Sequence, residues 1–440
     1  MQSRPDGGRS YGRGAAILSV GIGTTGLITY TYFSLASHSL SDSDYGGITL
    51  LWSAVFITVS VLYRPVEQLL ARTIAHREAK DQEGREHLRV AATIQLALAA
   101  AFSGVALAVR GPLETHVFGG KGTLYWVFFV AVIGYAASYF ARGFLAGKRR
   151  FGLYGALMLF ESTARLCFAL VVAIGIASRQ AVVALGIGAA PIVSLAVLPG
   201  LFARRLSRRR MASPEATEPR LDPMELPLES QPEFTLAHGV GFAWPVLLVV
   251  LSEQTFLNAG PLLVKLTEGA HGTALAGFTF NVLLVARAPI QLFQAVQTSI
   301  LPHLTRLRAR GALDPFRRSV AVTIGAICVF AAAVALVLLV AGPEIMGLVF
   351  GDDSRYGRGG LVVIALGMGL YLSGATLNQA ALATGQVRQA AACWVSSATA
   401  FVGFLLLPGF GDRVLQVEIG YTAGAVVLCA LLYRVYRRGG

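Results

Sequence analysis

Arg204 to Phe234 reads RRLSRRRMASPEATEPRLDPMELPLESQPEF, a basic cluster that turns acidic and proline-rich. Its charges keep it hydrated and its prolines remove backbone donors, so the composition is that of a flexible linker. On either side of it the chain is dominated by apolar runs of roughly 20 residues, the length that crosses a hydrocarbon core. Six precede it, at about 15–36, 46–70, 89–110, 124–146, 151–177 and 181–203. Six follow, at about 237–260, 274–300, 320–341, 359–384, 389–408 and 415–436. The expected fold is all-α, a polytopic membrane protein of about 12 transmembrane helices in two six-helix bundles around a central cavity. The expected organisation is an N-terminal lobe (1–203), a cytoplasmic linker (204–236) and a C-terminal lobe (237–440).

Composition agrees with that division. Of the 440 residues 55% are hydrophobic and 14% charged, against the roughly 25% charged of a soluble domain. An ordinary cytosolic enzyme lacks the means to cover itself with so little polar surface. The first run follows Arg4, Arg9 and Arg13 and mimics a signal peptide, with Ser34 and Ala36 as a passable cleavage site. Its length, and the span that follows at once, favour a retained helix.

The formal net charge of +13 has a positional meaning. Of the 37 Lys and Arg, 26 fall in the two termini and the even-numbered connections, 7 in the odd-numbered connections and 4 inside spans. Basic loops stay on the cytoplasmic side, so both termini are expected there, which an even number of spans also requires. The charge is therefore read as a topology signal facing anionic lipid, with no nucleic-acid partner expected. Cys167, Cys328, Cys393 and Cys429 each lie in an apolar run with no CxxC spacing, so they read as small buried hydrophobes. No cofactor and no metal site is expected.

The halves resemble each other in the same orientation. Leu62-Tyr63-Arg64-Pro65-Val66-Glu67-Gln68 matches Ala286-Arg287-Ala288-Pro289-Ile290-Gln291. Val117-Phe118-Gly119 matches Val349-Phe350-Gly351, and Leu145-Ala146-Gly147-Lys148 matches Leu382-Ala383-Thr384-Gly385. Six spans per repeat imply a two-fold axis along the membrane normal and a cavity between lobes. An unrepeated bundle with coincidental loops is the alternative.

A charge at the bilayer centre costs about 2.5–3.5 kcal/mol even on the lenient insertion scale, so intramembrane charges must face partners or water. Glu161 and Arg165, four apart on one helix face, are expected to pair, either as a structural tie or as cavity lining. Arg64 and Glu67, three apart near the cytoplasmic end, are also expected to pair, with Arg64 lining a substrate path or snorkelling. Arg142 lies little more than a turn before Lys148-Arg149-Arg150 and is expected to reach the headgroups. Arg287 has no acid within four residues, and with Gln291, Gln294 and Thr298 it forms one polar stripe flanked by Asn281 and Gln297. Such a stripe faces a water-filled cavity or another helix, and an arginine in it can clamp a phosphate with two donors. Glu253, with Gln254 and Asn258, is a candidate for binding a proton or cation, with helix packing as the alternative. Pro245 and Gly260-Pro261 are expected to interrupt that helix, and Trp52, Tyr125 and Trp126 to sit at the membrane interfaces.

Several strings, taken in order, resemble the multidrug/oligosaccharidyl-lipid/polysaccharide flippase superfamily over essentially the whole chain. They are Asp44-Tyr45-Gly46, Ala286-Arg287-Ala288-Pro289, Ser299-Ile300-Leu301-Pro302-His303-Leu304, Val349-Phe350-Gly351 reaching Tyr356, and Leu382-Ala383-Thr384-Gly385. The loop lengths and the Gly147-Lys148-Arg149-Arg150-Phe151 turn are similar to the polysaccharide-exporter branch. That resemblance implies alternating access in a bacterial plasma membrane. The implied cargo is a polyprenyl-(di)phosphate-linked saccharide moved to the outer leaflet for polysaccharide or cell-wall assembly. A polysaccharide polymerase or glycosyltransferases are the implied partners, besides membrane lipid. Arg287, Arg64, Gln291, Gln294, Asn378 and Tyr371, with the Glu161–Arg165 pair, are the residues expected to meet the cargo.

A cation-coupled multidrug antiporter of the same fold is the first alternative, although the first span carries none of the acidic residues of that branch. A membrane glycosyltransferase is the enzymatic alternative. Asp42-Ser43-Asp44 mimics a metal-binding DxD and Asp352-Asp353 lies in another outer loop, but these connections are too short for a catalytic domain. No Gly-rich phosphate loop supports an ATP-driven pump.

Overall fold

A computed structural model describes residues 6–79, 84, 86–148, 150–176, 180–197, 199, 236–269, 271–285, 287, 304, 307–308 and 313–439. Of residues 6–20, 22, 76, 78, 79, 236–243, 353 and 439 it describes the backbone alone. The apolar runs become helices because in hydrocarbon every backbone donor and acceptor must be bonded within the segment. In order they are α1 (Asp6–Ser39), α2 (Asp42–Ala79), α3 (Glu86–Ala108), α4 (Gly122–Gly147), α5 (Phe151–Ala173) and α6 (Gln180–Ser194). After the linker come α7 (Leu236–Glu268), α8 (Gly272–Val285), α9 (Leu313–Phe350), α10 (Arg358–Ala383), α11 (Val387–Leu405) and α12 (Arg413–Gly439). Each overlaps one expected span. Among the described residues, nine of these helices are long and apolar enough to cross a membrane. The protein is an all-α, multi-pass membrane protein.

α2 and α9, at 38 residues each, are longer than the roughly 20 that a bilayer needs. Their surplus carries the charges: α2 ends in ARTIAHREA and α9 begins LDPFRRS.

Pro245 and Pro261 do not interrupt α7, which runs unbroken from Leu236 to Glu268. The expected break fails because a proline removes a single donor, whereas opening the helix would strand several backbone groups in hydrocarbon. Gly260 has a packing reason instead. A Cβ there would come within 3.0 Å of Val417 and 3.1 Å of Leu283, so the glycine lets α7 approach α12 and α8.

Four of the helix contacts recur in both halves. Before the linker, α1 packs on α5, α3 on α4, α4 on α6 and α5 on α6. After it, α7 packs on α11, α9 on α10, α10 on α12 and α11 on α12, the same pairs with six added to each label. The matched loop glycines Gly119 and Gly351 share a left-handed backbone, φ +62 and +96. The two sets of helices meet chiefly where α2 lies along α7, with α1 touching α9 and residues 113–117 touching α7.

Two of the expected interfacial aromatics are internal. Tyr125 is fully buried and its hydroxyl donates to the Ala106 carbonyl at 2.8 Å. Trp52 packs edge-on against Phe33 at 4.9 Å and tilted on Phe56 at 4.1 Å. Trp126, 42% exposed, stays outside. The cysteines also divide: Cys393 is buried and Cys429 partly so, while Cys167 and Cys328 are exposed on their helices.

Candidate functional site

The seam between the two sets of helices is where Arg64 of α2, Glu253 of α7 and Arg287, two residues past α8, come near one another. At the Asp42 end of α2 it is shut. A Cβ on Gly46 would lie 1.9 Å from the Thr273 carbonyl oxygen, and one on Gly277 would lie 2.9 Å from the Gly46 Cα. Only glycine allows backbones so close. The Tyr45 hydroxyl donates to Asn281 Oδ1, the Tyr30 hydroxyl to the Leu284 carbonyl and the Ser37 hydroxyl to the Phe350 carbonyl. Phe33 meets Phe280 at 4.7 Å.

Further along α2, Arg64 donates to Glu253 of α7 at 3.2 Å, with side-chain exposures of 37% and 28%. A part-exposed ion pair midway along two spanning helices meets water, because lipid would not solvate it. Arg64 therefore pairs across the seam and not with Glu67 as expected. Glu67 accepts instead from the Tyr154 hydroxyl of α5 at 3.1 Å. The three-residue spacing allowed the local pair, but each residue has a better oriented partner on another helix.

Arg287 lies two residues beyond the end of α8. Its guanidinium sits 5.7 Å from the centre of the Phe280 ring, and among the described residues its Nη2, shielded from solvent, has no hydrogen-bond partner. Tyr30, Tyr371 and Tyr421 are within its electrostatic reach, and Tyr371 is also within that of Glu253 and Arg64. Tyr371 and Tyr421 belong to a buried aromatic cluster with Phe256, Trp394 and Phe401, at ring separations from 5.3 to 6.2 Å. The site is thus two guanidiniums and one carboxylate beside a wall of tyrosines.

The other expected site residues fall elsewhere. Asn378 is buried and accepts from Trp394 Nε1 at 3.2 Å, which ties α10 to α11. Gln291 and Gln294, like Thr298 and Gln297, lie outside the described residues. Glu161 and Arg165 do pair, at 3.1 Å, but both are buried, 3% exposed, among the first six helices. Glu161 also accepts from Tyr135 at 2.8 Å and from Arg142. Arg165 stacks over Trp52 at 4.9 Å and Arg142 over Tyr139 at 4.7 Å. Arg142 therefore does not reach for the headgroups. Its own face of α4 looks onto α5, where a buried carboxylate is a stronger draw than a lipid phosphate a turn away.

Sequence reasoning missed Tyr30, Phe280 and Tyr421. Aromatic residues in apolar spans carry no periodic mark that separates a site wall from core packing. The cross-lobe partners, Arg64 with Glu253 and Tyr45 with Asn281, lie 189 and 236 residues apart, beyond any spacing rule.

No family model matches the chain, and no curated protein matches it. Solved structures do. An inward-facing conformation of a multidrug resistance MATE family transporter of the MOP superfamily covers 96% of this chain and 97% of its own, at TM-score 0.69 and 14% identity. The chain has the fold of the MATE transporters. A mutant of the Vibrio cholerae MATE transporter VcmN gives TM-score 0.65 at 15% identity, covering 98% and 97%. An outward-facing MATE family structure gives 0.63 at 14%, covering 97% and 94%. MATE structures thus exist in two conformations, the principle of an alternating-access transporter.

Proposed function

We propose that this protein is an alternating-access flippase for an anionic lipid, a polyprenyl-(di)phosphate-linked saccharide, in a bacterial plasma membrane with both termini cytoplasmic. The observation that carries the reading is Arg287. A guanidinium with a shielded, unpartnered donor is costly inside a membrane unless it awaits an anion. Its fork of donors suits a phosphate, and the tyrosines beside it suit sugar hydroxyls. Arg64 offers a second cation once Glu253 is displaced. The apolar tail stays in the bilayer while the headgroup crosses through the seam. The proposed partners are the enzymes that build and polymerise the saccharide.

The test is reconstitution in liposomes with a fluorescent polyprenyl-diphosphate saccharide, followed by its exposure to an impermeant hydrolase. Protein-dependent translocation is expected, lost in Arg287→Ala and weakened in Arg287→Lys, which keeps the charge but not the fork. A second reading is a cation-coupled multidrug antiporter, favoured by the likeness to multidrug MATE structures. Gradient-driven efflux of a cationic dye without lipid movement would select it.

A further inference from the structure

Glu253, the acid expected to couple transport to an ion, already has a cation, Arg64. Another carboxyl has none among the described residues. Glu418, on α12, is 0% exposed. Its Oε2 accepts from the Tyr356 hydroxyl at 3.2 Å, and its Oε1 is shielded with no hydrogen-bond partner among the described residues. Gly360 of α10 closes over it: a Cβ there would lie 2.5 and 2.7 Å from the two carboxyl oxygens and 2.4 Å from the Tyr356 ring.

The charged groups around it are accounted for. Asp412, at the start of α12, is the other acid in its field and caps that helix by accepting from the N–H groups of Val414 and Leu415. Arg355 is held by Asp352 at 2.8 Å, Arg358 by Glu344 at 3.4 Å, and Arg413 by Glu268 at 2.7 Å. A full negative charge at Glu418 would thus face, among the described residues, one neutral donor, one like charge and no cation. A neutral acid in the same packing leaves a single O–H unsatisfied, a much smaller penalty. For the charged form to exist, water must reach the carboxyl, and Tyr356 and its loop stand in the way.

That loop also forms part of the shut end of the seam. Tyr356 packs edge-on against Phe278 of α8 at 5.5 Å. Ser354 Oγ accepts from Asn281, whose oxygen accepts from Tyr45 of α2, and the Phe350 carbonyl accepts from Ser37 of α1. We propose that Glu418 is a proton-binding site, and that its proton controls whether residues 351–357 hold the seam shut. With the proton bound, Tyr356 packs over a neutral acid and the loop stays on Asn281. When the O–H bond breaks and the proton leaves to solvent, the carboxylate draws water, Tyr356 yields and the seam opens at the Asp42 end. This rests on the alternating movement proposed above but on no particular cargo.

The experiment uses the full chain in lipid nanodiscs without substrate. Native cysteines are replaced, and spin labels placed at Ser43→Cys and Gly357→Cys report the distance across the shut end. The short distance should dominate at pH 5 and give way to a longer one as pH rises toward 9. Glu418→Gln, a permanent neutral mimic, should hold the short distance at every pH. Tyr356→Phe removes a hydrogen bond that only the shut state makes, and should move the transition down by roughly half to one pH unit. A pH-independent distance in the unmodified chain, or a Glu418→Gln profile that follows it, overturns the proposal. If Glu418→Gln does not fold, the sign of the Tyr356→Phe shift decides: no shift or an upward one overturns it. Because no lipid or drug is present, failure here leaves the Arg287 reading standing, and failure of lipid translocation leaves this one standing.

Discussion

Arg64 of α2 and Glu253 of α7 form, among the described residues, the one ion pair between the two sets of helices, at 3.2 Å. It holds the seam together where water reaches it, so its strength bears on the balance between conformations and little on the fold. Part exposure limits such a pair to about 1 kcal/mol, roughly a fivefold change in a two-state population. Arg64→Ala and Glu253→Gln should each shift the population toward the state with the α2–α7 seam parted. The double variant should shift it no further than the worse single one. Distance distributions from paired spin labels on α2 and α7 would show this, and additive shifts would mean the two side chains act separately.

Glu161 is a different kind of carboxylate. It is buried between Arg142 and Arg165, with Tyr135 donating as well. Removing its charge leaves two buried guanidiniums uncompensated, a loss of roughly 3–5 kcal/mol. Glu161→Gln should lower the thermal unfolding midpoint sharply in detergent and yield aggregated protein on size exclusion. A monodisperse variant with wild-type Tm and lost transport would instead return Glu161 to the substrate path.

The tight approach of Gly46 to Thr273 and Gly277 gives a prediction about conformation. Gly46→Ala places a methyl 1.9 Å from the Thr273 carbonyl oxygen, and Gly277→Ala places one 2.9 Å from the Gly46 Cα. Neither obstacle is a flexible side-chain tip, so α2 and α8 must separate there. Both variants should fold, because each glycine lies within a helix that alanine favours. Both should expose a cysteine introduced at Asn281 to a water-soluble maleimide several-fold faster than the parent. Equal labelling rates would show that the seam does not part at this point.

The sequence was informative wherever the bilayer supplied the constraint. Span length follows from hydrocarbon thickness, which is why each of the twelve apolar runs has its helix. The Glu161–Arg165 pair was legible because four residues return to the same helix face. What was not legible depends on which helix faces which. Arg142 looked like an interfacial anchor from its neighbours Lys148, Arg149 and Arg150, yet a carboxylate on α5 claims it. Arg64 looked like a partner for Glu67 until α7 was laid beside α2. Glu418 drew no attention, since a lone acid six residues into a span near Asp412 and Arg413 reads as part of a polar helix end. Its isolation is a property of α10 and the Tyr356 loop packed over it.

Arg287 separates a binding residue from a structural one. If its guanidinium were a packing element, removing it would cost stability, as at Glu161. Its Nη2 has no hydrogen-bond partner among the described residues, so little is lost when the charge goes, and the cost of keeping a cation there is relieved. Arg287→Gln should therefore unfold at the same or a higher temperature than the parent. The same variant should lose the thermal stabilisation that an added polyprenyl diphosphate confers on the parent, since ligand stabilisation scales with affinity for the native state. A Tm rise with loss of ligand response marks a site kept at the expense of stability for an anion. A Tm fall with the ligand response intact would assign Arg287 to the fold and leave the anion to Arg64.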